Sequence, residues 1–363
     1  MKKAIALCLL AAICLSFCAC GKLYDKEYVS IEDYVAPAQE QSADIDKRIS
    51  VKNLSELKRV LRSYVTSGET EGVLEFSESY SGNPTDDLAD ACWQIRSQDA
   101  LCAYCVENIS YELSHLLGTY EAKINLIYAD TGVALSDIHQ TQLSSDVDHL
   151  IDVAIRSGDD RLVVLVNNSS NTSADIADYV SSCYRKNPDF TPREPKANVA
   201  VYSGSGLQKL YDIKFNYGVS AEDFALQTKE IKKLFPFNAN VNSWSDYDKA
   251  LEAYTYLFDN CELSDSGNSA YDALILNTAD SEGIALGYVV LCKKLGLDCI
   301  AVYGQFEREN KCWNIVEING QYYHVDITAK DIPSFLCNDE AMWGNYRWDM
   351  SSYPACNGIL LID

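Results

Sequence analysis

Residues Ile284 to Leu295 form a run that is apolar on nearly every side until Lys293-Lys294, and Gly296 follows it. A helix with one apolar stripe can lie on a surface, but a helix that is apolar all round has to be enclosed. Gly296 supplies the stop at its C-terminal end. Whatever domain holds this segment is therefore built around it. Thr278-Ala-Asp280-Ser281-Glu282-Gly283 precedes the run, so Asp280 or Ser281 is placed to cap the helix. The start of such a helix projects unpaired N–H groups and a partial positive charge.

Downstream, Leu297-Asp-Cys-Ile-Ala-Val-Tyr303-Gly304 reads as a strand, with Glu307-Arg-Glu-Asn310 as its exposed turn. Two further strands flank Asn319-Gly320, the strongest short hairpin signal. With a two-residue turn, Ile318 faces Gln321 and paired residue numbers sum to 639. Trp313 then faces Asp326, Ile315 faces His324 and Lys311 faces Thr328. Because side chains alternate, Lys311, Trp313, His324 and Asp326 share one face. Lys311 and Asp326 are diagonal neighbours, about 7 Å apart at Cβ and within reach of a long side chain.

These segments together resemble the transglutaminase-like superfamily. The residues carrying the likeness are Tyr271-Asp-Ala-Leu, Ala279-Asp-Ser281-Glu-Gly283-Ile, Lys311-Cys-Trp-Asn314, Asn319-Gly320 and Tyr323-His-Val-Asp326-Ile-Thr328. The family's pattern is a Cys opening a buried helix, then a His-x-Trp strand, then an Asp strand. The tail, with Phe335-Leu-Cys-Asn338, Arg347-Trp348-Asp349 and Tyr353-Pro354, is similar to the segment that follows this core in many bacterial members. The resemblance implies a papain-like core in which Ser281, Lys311 and Asp326 occupy the catalytic Cys, His and Asp positions, with Trp313 and His324 lining the cleft. Two of those three positions are substituted.

The substitutions change the chemistry. A helix N-terminus stabilises a thiolate. An alcohol stays protonated near neutrality and needs a base. Lys311 can act as that base only if burial lowers its pKa, and a carboxylate on the same face opposes this. Two readings follow. In one, Lys311 and Asp326 form a structural ion pair in a catalytically inactive site. In the other, Ser281 is the nucleophile of a hydrolase or acyltransferase with Lys311 or His324 as base. Cys312 points away from Lys311, and Cys292 is eleven residues into the buried helix, so both read as core.

The N-terminus reads as a targeting signal. Lys2 and Lys3 precede an apolar stretch from Ala4 to Cys18, too short to span a bilayer. Phe17-Cys18-Ala19-Cys20-Gly21 resembles a bacterial lipobox, with Cys20 as the acylated residue, Cys18 as an alternative anchor and a plain signal peptide as the alternative to lipidation. This places an exported protein on the outer face of the cell membrane, held by its N-terminal lipid. The chain carries 30 Lys+Arg against 53 Asp+Glu, a formal charge of -23, which disfavours nucleic acid as a partner. Ten of its 14 cysteines lie beyond Cys20, most of them in apolar runs where a free thiol behaves as a small hydrophobe. Cys102-Ala-Tyr-Cys105 lacks the second CxxC or His cluster of a zinc site, and a buried strand is its expected context. No metal site, phosphate loop or dinucleotide motif is apparent, and no cofactor is expected.

Between the tether and the last domain the chain repeats itself. Leu57, Val60, Leu61, Tyr64 and Val65, ending at Ser67-Gly68, match Val147, Leu150, Ile151, Ala154 and Ile155, ending at Ser157-Gly158. Val73-Leu-Glu-Phe76 matches Val163-Val-Leu-Val166, Asp87-Leu-Ala-Asp90 matches Asp175-Ile-Ala-Asp178, and Tyr120-Glu-Ala-Lys123-Ile-Asn125 matches Tyr211-Asp-Ile-Lys214-Phe-Asn216. Each copy reads as helix, strand, helix and a pair of strands. The expected fold is α+β: two tandem small α+β repeats followed by a papain-like, transglutaminase-type domain. The divisions are a signal over 1–19, a tether over 20–48, repeats over 49–135 and 140–220, and the last domain over 240–363. The expected role is binding of a peptide, a protein or a cell-wall polymer through the cleft beside the buried helix.

Overall fold

The computed structural model describes residues 48–116, 118–237, 241–329 and 335–358. The signal over 1–19, Cys20 and the tether to residue 47 lie outside them. Among the described residues no helix is long and apolar enough to cross a membrane.

The first sheet is built from β1 (Arg48–Asn53), α1 (Leu54–Thr66), β2 (Glu71–Ser81), α2 (Pro84–Gln98), α3 (Ala100–Cys105), β3 (Val106–Leu116) and β4 (Thr119–Tyr128). Asn53 caps α1 by accepting the Glu56 N–H, and the stripe Leu57, Val60, Leu61, Tyr64, Val65 is buried. The second sheet follows from β5 (His139–Leu143), α4 (Ser144–Ser157), β6 (Arg161–Asn168), α5 (Ser173–Lys186), β7 (Lys196–Ser203) and β8 (Lys209–Asn216). Strand orders are β1-β2-β4-β3 and β5-β6-β8-β7.

Three features differ from the sequence reading. β1 and β5 were not expected, because both are short and mostly exposed, and Ile49 and Val51 of β1 are the one apolar alternation in either. Cys102 and Cys105 lie on a helix, α3, not on a strand. Asp99 accepts the Cys102 N–H and starts a helical turn in a short apolar run whose periodicity is ambiguous. The third difference is that β6 is buried on both faces. Leu162, Val164 and Val166 face a core with α4 and α5, while Val163, Leu165 and, from β8, Leu210 enter the core of the first sheet. The two sheets therefore share apolar packing. Arg161 adds a polar tie, donating to both oxygens of Asp212 at 2.7 Å, to the Thr131 carbonyl at 2.8 Å and to the Tyr104 hydroxyl at 3.1 Å.

The remaining elements are α6 (Ala221–Lys233), α7 (Asp246–Asn260), β9 (Glu262–Leu263), α8 (Ala270–Leu274), β10 (Thr278–Ala279), α9 (Ser281–Lys294), β11 (Cys299–Phe306), β12 (Glu309–Ile318), β13 (Gln321–Val325), β14 (Phe335–Cys337), α10 (Asp339–Met342) and β15 (Tyr346–Trp348). β11 to β15 form a five-stranded sheet in the order β14-β13-β12-β11-β15. α9 is buried continuously from Gly283 to Cys292. It packs on α7, α8 and one sheet face through Leu257, Ala273, Val316 and Val325. The other sheet face has its own core of Val302, Trp313, Ile315, Met342, Tyr346 and Cys356.

The β12–β13 hairpin has the expected register, with Ile318 opposite Gln321 and Ile315 opposite His324. Asn319 (φ 51) and Gly320 (φ 79) both take the left-handed conformation that a type I′ turn requires. The ladder ends sooner than expected. Trp313 does not pair with Asp326, nor Lys311 with Thr328, because β13 stops at Val325. Asp326 Oδ1 there accepts the Thr328 N–H at 2.9 Å and its hydroxyl at 2.7 Å, and this local turn takes the chain out of the sheet.

Candidate functional site

The tip of α9 is set by Asp280, whose carboxylate caps the helix by accepting the Gly283 N–H at 2.9 Å. Ser281 is thus the first helical residue. Its Oγ accepts the backbone N–H of Cys312 on β12 at 3.2 Å. The residue before Cys312 is Lys311, and its Nζ lies 2.8 Å from Asp326 Oδ2. The side chains of Lys311 and Asp326 are 14% and 1% exposed, so the pair is screened from water. The ammonium also lies 4.8 Å from the Phe306 ring centroid and 5.7 Å from that of Tyr346. Asp326 Oδ2 accepts the Tyr346 hydroxyl at 2.6 Å as well, so both carboxylate oxygens are engaged. The carboxylate thus accepts from the ammonium, a phenol, a hydroxyl and a backbone amide. Burial, with Asp326 beside it, pushes the Tyr346 phenol up.

Ser281 thus meets the backbone of β12 next to Lys311, but the Lys311–Asp326 pair, with Phe306 and Tyr346, lies on the sheet face opposite α9, so the three expected positions do not form a relay. Lys311 bonds to Asp326, and the serine oxygen serves a backbone amide. Cys312, beside them, has its thiol pushed up by burial and then by Glu282, so it is protonated and not a ready nucleophile.

Trp313 and His324 are not cleft-lining residues. Trp313 is 1% and His324 0% exposed. They belong to the second core of the sheet, where α10, β15 and the Cys356 segment cover a face that the sequence reading left open. The Trp313 indole N–H donates to His324 Nδ1 at 3.0 Å, and His324 Nε2 lies 2.9 Å from Asp339 Oδ1. An indole can only donate, so Nδ1 presents its lone pair and Nε2 carries the proton given to Asp339. Burial pushes the His324 pKa down, with the Asp339 carboxylate opposing. Asp339 Oδ2 also accepts the Cys356 N–H at 3.1 Å. The imidazole is therefore a neutral strut between hairpin and tail, with both nitrogens used.

His324, Asp339 and Cys356 bring three ligand-type atoms within 4.8 Å of one another. The tautomer argues against a metal at that point. A cation on Nε2 needs its lone pair, which would force a proton onto Nδ1 against the indole N–H. Burial also pushes the Cys356 thiol up to about 12.

Sequence reasoning did not find the residues that close the other side of the α9 tip. The Tyr303 hydroxyl donates to Glu282 Oε1 at 3.0 Å, and the Arg185 guanidinium from α5 sits 4.0 Å from the Tyr303 ring centroid. Burial raises the Glu282 pKa, with Tyr303 opposing. Nearby, Arg193 pairs with Asp272 at 3.2 Å, and the Tyr271 hydroxyl donates to Glu230 at 2.7 Å. The only signal for this cover in the sequence was the polar residue at each position, which is common on any surface.

By sequence, no known protein family and no curated protein matches the chain. Solved structures similar to it include a TGase at 10% identity, covering 60% of this chain and 67% of that one with a TM-score of 0.24. A candidate cysteine protease from Cytophaga hutchinsonii is similar at 13% identity over 36% of this chain and 62% of that one, TM-score 0.21. A candidate protease from Parabacteroides distasonis is similar at 9% identity over 70% and 39%, TM-score 0.20. These superpositions are loose, and the chemistry of the site rests on its own geometry.

Proposed function

We propose that residues 240–363 form a transglutaminase-like domain that has lost catalysis and works as a binding module on the cell surface. The observation that carries this is the buried Lys311–Asp326 pair at 2.8 Å. Lys311 is engaged with that carboxylate beside Phe306 and Tyr346, on the sheet face opposite α9, and His324 is committed to Trp313 and Asp339, so neither serves Ser281 as a base. A serine without a base is a poor nucleophile. The burial of α9 and the hairpin beside it support the family reading, while Ser281 and Lys311 account for the loss of activity. Peptide, protein or cell-wall polymer is the proposed ligand class. The test is labelling of the purified protein with a serine-reactive fluorophosphonate. No labelling is expected; labelling that vanishes in Ser281→Ala would establish a working hydrolase or acyltransferase instead.

Residues 49–135 and 140–220 are proposed to be duplicated modules that space this domain from the membrane, a reading supported by their equal strand orders. The anchor is proposed to be an acyl group on Cys20. Metabolic palmitate labelling should be lost in Cys20→Ser; retained labelling would move the anchor elsewhere.

A further inference from the structure

A cavity of about 370 Å³ lies between the end of α4 and the second half of α6, lined by Arg156, Phe224, Thr228, Lys229, Lys232 and Lys233 among others. No carboxylate lines it, although the chain as a whole carries a formal charge of -23. Cations converge on this corner from several elements. Around the Phe190 ring, Arg156 lies at 3.9 Å, Lys293 at 4.4 Å and Lys232 at 6.0 Å from the centroid. Asp152 neutralises Arg156 at 2.7 Å and Asp189 neutralises Lys293 at 2.8 Å. Lys229, Lys232 and Lys233 have no ion-pair partner among the described residues. Glu230, the acidic residue nearest them in sequence, is bonded to Tyr271.

The carboxyl ends of α4 and α6 attract cations, but each carries only about half a negative charge. Two such ends offset about one of the three unpaired ammonium groups, which leaves about two positive charges uncompensated at the mouth of the cavity. A second observation points inward. Thr228 is 7% exposed, and its hydroxyl is buried with no hydrogen-bond partner. A buried hydroxyl without a partner is costly, and a χ1 rotation turns it toward an oxygen bound in the cavity. The negative charge elsewhere on the chain does not cancel this local field, because exposed charges beyond about 10 Å are screened at 0.1 M salt.

We propose that this cavity binds a compact phosphate-type oxyanion carrying at least two negative charges. The lysines supply charge, and the Thr228 hydroxyl supplies a directed donor. The site is separate from Ser281, and the proposal stands or falls independently of that corner. Such an anion can be a soluble molecule or a lipid headgroup, and two arms separate them. In the first, inorganic pyrophosphate is titrated calorimetrically into the full chain in low salt. Saturable binding to one site is expected, weakened about tenfold by Thr228→Val and at least as much by the exposed pair Lys229→Gln/Lys232→Gln. In the second, flotation with vesicles containing phosphatidic acid, whose phosphomonoester headgroup can carry two charges, is repeated with the same variants. Vesicle binding that both Thr228→Val and pyrophosphate reduce assigns the anion to a headgroup and supports the site. Binding in either arm that is indifferent to all three substitutions overturns the proposal, as does no binding in both. Circular dichroism confirms that each variant is folded, and the lysine pair keeps the test valid if Thr228→Val is not.

Discussion

One hairpin carries two buried acid–base pairs that behave in opposite ways. Lys311 and Asp326 meet as full charges 2.8 Å apart, walled by Phe306 and Tyr346. His324 and Asp339 meet at a similar 2.9 Å, but there burial keeps the imidazole neutral and the contact is an ordinary hydrogen bond. The difference lies in the base. An ammonium with a high intrinsic pKa stays charged beside a carboxylate even when little water reaches it. An imidazole, much closer to neutrality, gives up its proton when enclosed. In the resemblance to transglutaminase-like proteins, the titratable imidazole would stand at position 311. Here the cation stands there, and the imidazole is two strand residues from the Asp326 end, in the structural role.

The sharpest way to break this comparison is to remove the cation alone. Lys311→Met leaves Asp326 buried and uncompensated, and urea denaturation should show a loss of about 3–5 kcal/mol. Lys311→Met/Asp326→Asn should recover part of that loss, because no unpaired charge is then buried. If the single variant costs nothing, the pair is not buried as described. A smaller effect is expected at the neutral pair. His324→Leu strands the Trp313 N–H and one oxygen of Asp339, a cost of about 2 kcal/mol in the same assay.

The smallest effect is the dependence of stability on pH. The folded pKa of His324 lies below its ordinary 6.5, so the unfolded chain binds more protons between those two values. Stability from this group is full above pH 6.5 and falls as pH drops through the window, by at most about 1.4 kcal/mol per unit. Glu282 acts in the other direction. Its folded pKa is raised above 4.5, so its contribution is full below 4.5 and is lost as pH rises through the folded value. Subtracting the His324→Leu pH profile from that of the unsubstituted chain isolates the imidazole; an identical slope in both would show that His324 is not buried neutral.

How much of this could be read from the chain depended on range. The Asn319-Gly320 turn and strand alternation give the hairpin register and the adjacency of Lys311 and Asp326, because both follow from geometry within a few residues. The enclosure of α9 follows from its composition alone. The burial of His324 does not, because it depends on α10 and β15 folding back over the sheet, and nothing local to Tyr323-His324-Val325 records that. β1 and β5 escaped notice for a related reason: a polar edge strand is specified by its neighbour's open backbone, not by its own side chains. The run Val163 to Val166 was legible as a strand, but its burial on both faces was not, because it depends on the first sheet packing against it.

Gly283 has a further consequence. A Cβ there would lie 2.4 Å from the Gly267 carbonyl oxygen, 2.8 Å from the Ala279 methyl and 3.0 Å from the Ser269 carbonyl oxygen. The first turn of α9 is seated directly on the backbone of the preceding loop, with no side chain between them to slide or repack. Gly283 therefore acts as a weld rather than a hinge. The Gly283 and Ile284 amide protons, both bonded to Asp280 in this seated turn, should exchange with solvent far more slowly than those of Ser281 and Glu282.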